Sequence, residues 1–127
     1  MVKKEYVSWE DFENLCQELA KRIKNSGKQI KRVYGIPRGG LPIAVRLSHI
    51  LDIDLTLDPY MAELIVDDVS DTGGTIPRFF HKGQIVACFH IKKNTEHVPD
   101  IWIKEIERDT WIVYPWEESE EPDRKDY

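Results

Sequence analysis

The sequence predicts a single α/β domain built on a mainly parallel sheet flanked by helices. Three observations carry this. Short apolar runs of period 2 alternate along the chain with segments of 3 and 4 spacing, glycines punctuate the transitions, and 127 residues suit one hydrophobic core. Ser8 precedes Trp9, Phe12, Leu15, Cys16, Leu19, Ala20 and Ile23, with Asp11 placed to close a capping box and Gly27 to stop the helix. Residues 29–36, QIKRVYGI, alternate and end apolar, which predicts a strand, and 39–51 return to helical spacing through Leu41, Ala44, Val45 and Leu47. A short strand is expected over 53–57, a buried strand core over 64–66, a short helix over 75–82, and a strand over 84–91 opened by Gly83. Residues 100–106 and 111–114 show the weaker alternation of two further strands. Strands alternating with helices imply right-handed crossovers. One domain is expected over 1–117, followed by an acidic tail, 118–127, expected to fray because it has no apolar anchor beyond Tyr127.

Composition narrows the function classes. The chain is 41% hydrophobic and 32% charged, and its apolar runs fall far short of the ~20 residues of a membrane span. The opening MVKKEYVSWEDF has two lysines without an apolar stretch behind them, so no secretory signal and a cytoplasmic address are expected. Cys16 and Cys88 have no metal-ligand spacing and read as reduced thiols, and the four histidines share no zinc-like spacing. A net charge of −5 argues against nucleic acid as the main partner, because a duplex binder needs a basic face. A small anionic ligand remains compatible, since one local site can be positive in an acidic protein.

In sheets of this kind ligands sit beyond the carboxyl ends of the strands. That rim would gather PRGG after the first predicted strand, DDVSDTGGT after the third, and Lys92 and Lys93 after the fourth. A glycine-rich turn entering a helix presents N–H groups and a positive dipole end, so TGGT can hold a phosphate. Asp67, Asp68 and Asp71 beside it would repel a bare phosphate and need other partners: sugar hydroxyls, a divalent cation or a mobile proton. The residues alone allow a plainer reading, with Asp67 and Asp68 as strand-end solvation and Asp71 as a helix cap.

LIVDDVSDTGGTI resembles the phosphoribosyl-pyrophosphate (PRPP) signature of the type I phosphoribosyltransferases: an apolar strand, two adjacent acids, a third acid three residues on, then T-G-G-T. GIPRGGLPIA, residues 35–44, is similar to the pyrophosphate loop of that family, and DTWIVYPWE, 109–117, resembles the C-terminal segment of its bacterial xanthine-guanine members, in which a tryptophan stacks on the purine. The resemblance covers most of the chain from Trp9 to Glu117 with the motifs in order, and implies a Rossmann-like type I phosphoribosyltransferase fold.

The resemblance also implies roles. Asp67 and Asp68 would face the ribose hydroxyls and Mg²⁺; Thr72, Gly73, Gly74 and Thr75 would wrap the 5′-phosphate; Asp71 would serve as acid/base at purine N7. Arg38 and Gly39 would hold the pyrophosphate, with a non-proline cis peptide expected at Pro37–Arg38. Lys92, or Lys93 if the register slips, would donate to the purine 6-oxo group, Trp111 would stack on the base, and the main chain around Ile112 would read its 2-position. The implied activity is Mg²⁺-dependent transfer of phosphoribose from PRPP to a 6-oxopurine in purine salvage. A homodimer or larger homo-oligomer is expected, as shallow sites on small domains are often completed by pairing. Two departures stand out. The family usually carries a long mobile loop ahead of the signature, whereas only DLTLDPYMAE, 54–63, lies there, so the hood is reduced. Val113 offers no side-chain hydrogen bond to a base edge. The rival reading is a non-catalytic PRPP or nucleotide-binding module of the same fold.

Overall fold

The computed structural model describes residues 2–71, 83–96 and 98–117. The order of elements is β1 (Lys3–Tyr6), α1 (Trp9–Asn25), β2 (Arg32–Gly35), α2 (Gly40–Leu51), β3 (Asp54–Leu55), a 3₁₀ turn (Pro59–Met61), β4 (Leu64–Ser70), β5 (Ile85–Lys92), β6 (Ile101–Ile106) and β7 (Thr110–Val113). The expected helix over 75–82 and the tail over 118–127 lie outside the described residues.

Among the described residues, five strands form an all-parallel sheet in the order β3-β2-β4-β5-β6. The sequence reading placed β7 among the strands of one sheet and overlooked β1. Instead these two pair with each other, in parallel, as a separate ribbon. The first strand escaped detection because KKEY alternates nothing apolar; its partner, not its own burial pattern, makes it a strand.

Helix α1 begins as its sequence dictates. Ser8 Oγ accepts from the Asp11 N–H and Asp11 Oδ2 accepts from the Ser8 N–H, both at 3.0 Å, a reciprocal cap that satisfies two N–H groups of the first turn. Glu10 and Asp11 in its first turn and Arg22 and Lys24 in its last complement the helix dipole. Its buried face, Phe12, Cys16, Leu19, Ala20 and Ile23, packs with Ile43, Ala44 and Leu47 of α2 against Val33, Leu64, Val66, Ile85, Ala87 and Phe89. The alternate sheet residues Tyr34, Ile65, Val86 and Cys88 form a second cluster with Ile36 and Ala62. Successive strand residues point to opposite faces, so the sheet is buried on both, and β5 is buried at every position but its last. Cys16 and Cys88 therefore lie in different cores.

Several boundaries differ from expectation. Strand β2 starts at Arg32, three residues late, because the N–H groups of Lys31 and Arg32 are both taken by Glu63 Oε1 at 2.9 Å. Strand β3 is only two residues long, and the chain then turns through Pro59–Met61, held by Gln84, whose side-chain amide donates to the carbonyls of Pro59 and Ala62 at 2.7 and 2.9 Å. Strand β4 runs on to Ser70, so Asp67 and Asp68 are strand residues and not the start of a loop.

Candidate active site

The rim is set by where β2 stops. Its ladder with β4 ends at Gly35↔Val66, and the Ile36 N–H then donates to the Val66 carbonyl at 2.9 Å before the chain turns away into PRGG. Beyond that point β4 continues with β5 alone, through Asp67↔Cys88 and Val69↔His90. The edge of β4 that carries the acid pair is thus left to the turn that enters α2.

Glycine makes the approach of that turn possible. A Cβ on Gly39 would overlap the Asp68 carboxylate, one on Gly40 would overlap the Val66 carbonyl, and one on Gly35 would meet the main chain of Gly40 and, at 2.9 Å, the side chain of Ala44. Only bare main chain fits there. The Pro37–Arg38 peptide is cis, as expected, and Arg38 is exposed.

Asp67 and Asp68 are adjacent and partly orient each other: Asp67 Oδ1 accepts from the Asp68 N–H at 2.9 Å and Asp68 Oδ1 from the Val69 N–H at 2.7 Å. Burial, and next the charge of Asp68, hold the Asp67 pKa well above the ordinary carboxylate value. Two neighbouring carboxylates in this position favour a partner that brings positive charge or a hydroxyl donor.

Asp71, just past β4, meets two cations. Arg108 Nη2 lies 3.2 Å from its Oδ1 and Lys92 Nζ 3.9 Å from its Oδ2. Lys92 is the last residue of β5; its ammonium donates to the Arg108 carbonyl at 3.3 Å and sits 5.9 Å from the centroid of the Trp111 ring. Lys93 turns to solvent, while its carbonyl accepts from Arg108 Nη1 at 3.1 Å. Lys92, and not Lys93, therefore joins Asp71 and Trp111. Trp111 is half-buried on β7, with its indole Nε1 buried and without an acceptor among the described residues. The side chain of Ile112 belongs to the large core; β1 occupies one edge of its strand, and no described strand pairs with the other.

The structure thus brings Asp71, Lys92 and Trp111 into one cluster and presses Gly39 against Asp68. Thr72, Gly73, Gly74 and Thr75 lie outside the described residues. Arg108 was missed by the sequence reading. An arginine in a charged turn, IERD, carries no signal that separates it from a solvated one, and only the β6–β7 connection brings it to Asp71.

No family model matches the chain. It is 29% identical to a xanthine-guanine phosphoribosyltransferase of Nitratidesulfovibrio vulgaris Hildenborough, the match covering 87% of this chain and 83% of that protein. The purine phosphoribosyltransferase of Pyrococcus horikoshii superposes with a TM-score of 0.78 at 32% identity, over 95% of this chain and 99% of that one. The xanthine-guanine-hypoxanthine phosphoribosyltransferase of Helicobacter pylori shares the fold, with a TM-score of 0.73 at 19% identity over 89% and 92% of the two chains. With its sheet order, its glycine turn against the acid pair and this likeness along nearly its whole length, the chain belongs to the purine phosphoribosyltransferases of the type I family.

Proposed function

We propose that the protein transfers phosphoribose from PRPP to a 6-oxopurine, releasing pyrophosphate and forming a nucleoside 5′-monophosphate in purine salvage. The observation that carries this is the convergence of Lys92, Trp111 and Asp71 at the end of the strand that carries the acid pair. A site for PRPP alone has no use for an aromatic plate with a lysine at its edge. In this reading the C1–O bond to pyrophosphate breaks as a purine nitrogen bonds to C1. Positive charge builds on the sugar and negative charge on the leaving group. Asp67 and Asp68 face the ribose hydroxyls; Arg38 and the main chain of Gly39 hold the pyrophosphate; Thr72, Gly73, Gly74 and Thr75 hold the 5′-phosphate. Trp111 stacks on the base, Lys92 donates to its 6-oxo group, the main chain at Ile112 reads the 2-position, and Asp71 takes the proton from N7.

Mg²⁺ suits these residues. It prefers oxygen ligands and keeps places for substrate oxygens, and the described residues offer a carboxylate pair without a third protein ligand. When bound, it would neutralise charge developing on the pyrophosphate. Homo-oligomerisation is supported by Leu55, Leu57, Tyr60 and Met61, which expose apolar surface along β3 and the 3₁₀ turn; light scattering after size exclusion tests it. No helix among the described residues is long and apolar enough to cross a membrane, and we place the protein in the cytoplasm with residues 1–117 as its working domain.

The test is incubation with PRPP, Mg²⁺ and guanine, xanthine or hypoxanthine in turn. Nucleotide from at least one base is expected. Tight PRPP binding without product from any base would establish the non-catalytic module instead, the reading favoured by the short, Gln84-anchored segment where the family carries its lid.

A further inference from the structure

Tyr114 follows β7 directly and is buried at 2% exposure. Its ring stacks on Trp116, 5.2 Å between centroids at an interplanar angle of 4°. Its main chain is held by Glu117, which accepts from the Tyr114 N–H and donates its own N–H to the Tyr114 carbonyl, both at 2.9 Å. None of this packing needs a hydroxyl, and a phenyl ring would fill the same space. Yet the hydroxyl lies 2.9 Å from His90 Nδ1 and 3.2 Å from the main-chain carbonyl oxygen of Asp68.

Proton counting orders these contacts. The Asp68 carbonyl can only accept and the phenol has one proton, so both contacts are hydrogen bonds in one arrangement alone: His90 Nδ1–H donates to Tyr114 Oη, and Tyr114 O–H donates to Asp68. The opposite order leaves two oxygens facing each other without a proton between them. Burial supports the same arrangement. It pushes the His90 pKa down to about 4, so the ring is neutral with one proton to place.

The chain of donors ends where β4 has lost a neighbour. Past Val66 the ladder with β2 is over, and among the described strands only β5 still pairs with β4, through Asp67↔Cys88 and Val69↔His90. The Asp68 carbonyl shares its peptide group with the Val69 N–H, from which Asp68 Oδ1 accepts, so holding that peptide holds the Asp68 carboxylate, and the Asp68 N–H one peptide earlier is the donor to Asp67 Oδ1. Trp111 lies three residues before Tyr114 in the same segment. A part-buried hydrogen bond thus ties the segment that carries Trp111 to the strand with the acids.

We propose that Tyr114, oriented by His90, is a positioning residue that holds the Asp68 main chain and so sets the acid pair for PRPP. The proposal rests on the reading above of Asp67 and Asp68 as PRPP-facing groups. Tyr114→Phe removes the donor and keeps the ring. It is expected to fold normally, to raise the PRPP Kd and KM about fivefold, and to leave the purine KM within about twofold, the size of one lost hydrogen bond. His90→Asn keeps an N–H close to the Nδ1 position and should stay within about twofold of wild type, whereas His90→Leu should follow Tyr114→Phe. In an Asp68→Asn background the Tyr114→Phe effect on PRPP should shrink, since both changes act through one group. An unchanged PRPP Kd in folded Tyr114→Phe, or equal rises in both KM values, would overturn the proposal. If the His90 variants do not fold, Tyr114→Phe decides alone. A wild type that binds PRPP without turnover would remove only the enzymatic reading, with the Kd comparison still deciding; a wild type that binds no PRPP would overturn both.

Discussion

Glu13 and Asp67 are both carboxylates of one small acidic domain, and the fold treats them in opposite ways. Glu13, on the outer face of α1, takes a two-pronged contact from Arg46 of α2 at 2.7 and 2.8 Å and a third from Gln17 at 2.8 Å. The Arg46 hydrogen bonds first, then Gln17, lower its pKa to about 2. Asp67 is placed beside a second carboxylate, and burial and that neighbour raise its pKa. Glu13 is given a cation across the α1–α2 contact, whereas at the sheet rim Asp67 lies next to a like charge that, after burial, disfavours its ionised form. That difference marks the rim as a place prepared for an incoming partner.

The largest test of this contrast is Asp67→Asn. Turnover should fall by a factor on the order of 100 or more as the site loses charge opposite the ribose. Thermal unfolding of the free protein should show a gain of about 1 kcal/mol, because a buried carboxylate beside another has been neutralised. Loss of activity together with loss of stability would mean that Asp67 is structural, like Glu13. Next in size, Asp71→Asn should slow turnover on the order of 100-fold while PRPP affinity changes little, measured as kcat against Kd. Equal losses in both would reduce Asp71 to a group that shapes the turn.

Acid provides a third comparison. The unfolded chain takes up a proton at His90 near pH 6.5, while the folded chain refuses it until about pH 4, mainly because the ring is buried. This contribution is fully present above pH 6.5 and lost as pH falls through about 4, roughly 3 kcal/mol in all. Asp67 pulls the other way, since a raised folded pKa gives back stability as pH falls. Urea unfolding as a function of pH should therefore show a steeper acid limb in Asp67→Asn and a shallower one in His90→Asn. The smallest effect belongs to Glu13→Gln, on a solvent-exposed pair: activity is unchanged, and the melting temperature moves by no more than a few degrees. A larger fall would show the α1–α2 ion pair to be more than a surface contact.

Much of this was legible in the chain itself. The Ser8–Asp11 cap and the 3 and 4 spacing from Phe12 to Ile23 place α1 because they act over a single turn. The β-prone run QIVACFHI behind Gly83 places β5 for the same local reason, and the strand is buried at every position but its last. The chemistry of the rim was readable as far as it is written in contiguous motifs: DDVSD, PRGG and DTW. What stayed hidden depends on partners remote in sequence. KKEY becomes β1 only against β7, more than 100 residues later, and that ribbon withdraws β7 from the main sheet. Arg108 meets Asp71, and Tyr114 meets Asp68 and His90, across 37, 46 and 24 residues of separation.

The sequence by itself determined α1, α2, the central strands and the residue types gathered at the carboxyl edge, because periodicity, caps and glycine turns are properties of neighbours along the chain. Only the tertiary structure decided that Lys92 and not Lys93 reaches Asp71, that Gly39 rests against the Asp68 carboxylate, and that the Tyr114 hydroxyl reaches the Asp68 carbonyl. Those are matters of which strand ends beside which, and a hydrogen bond reads distance in space regardless of distance in sequence.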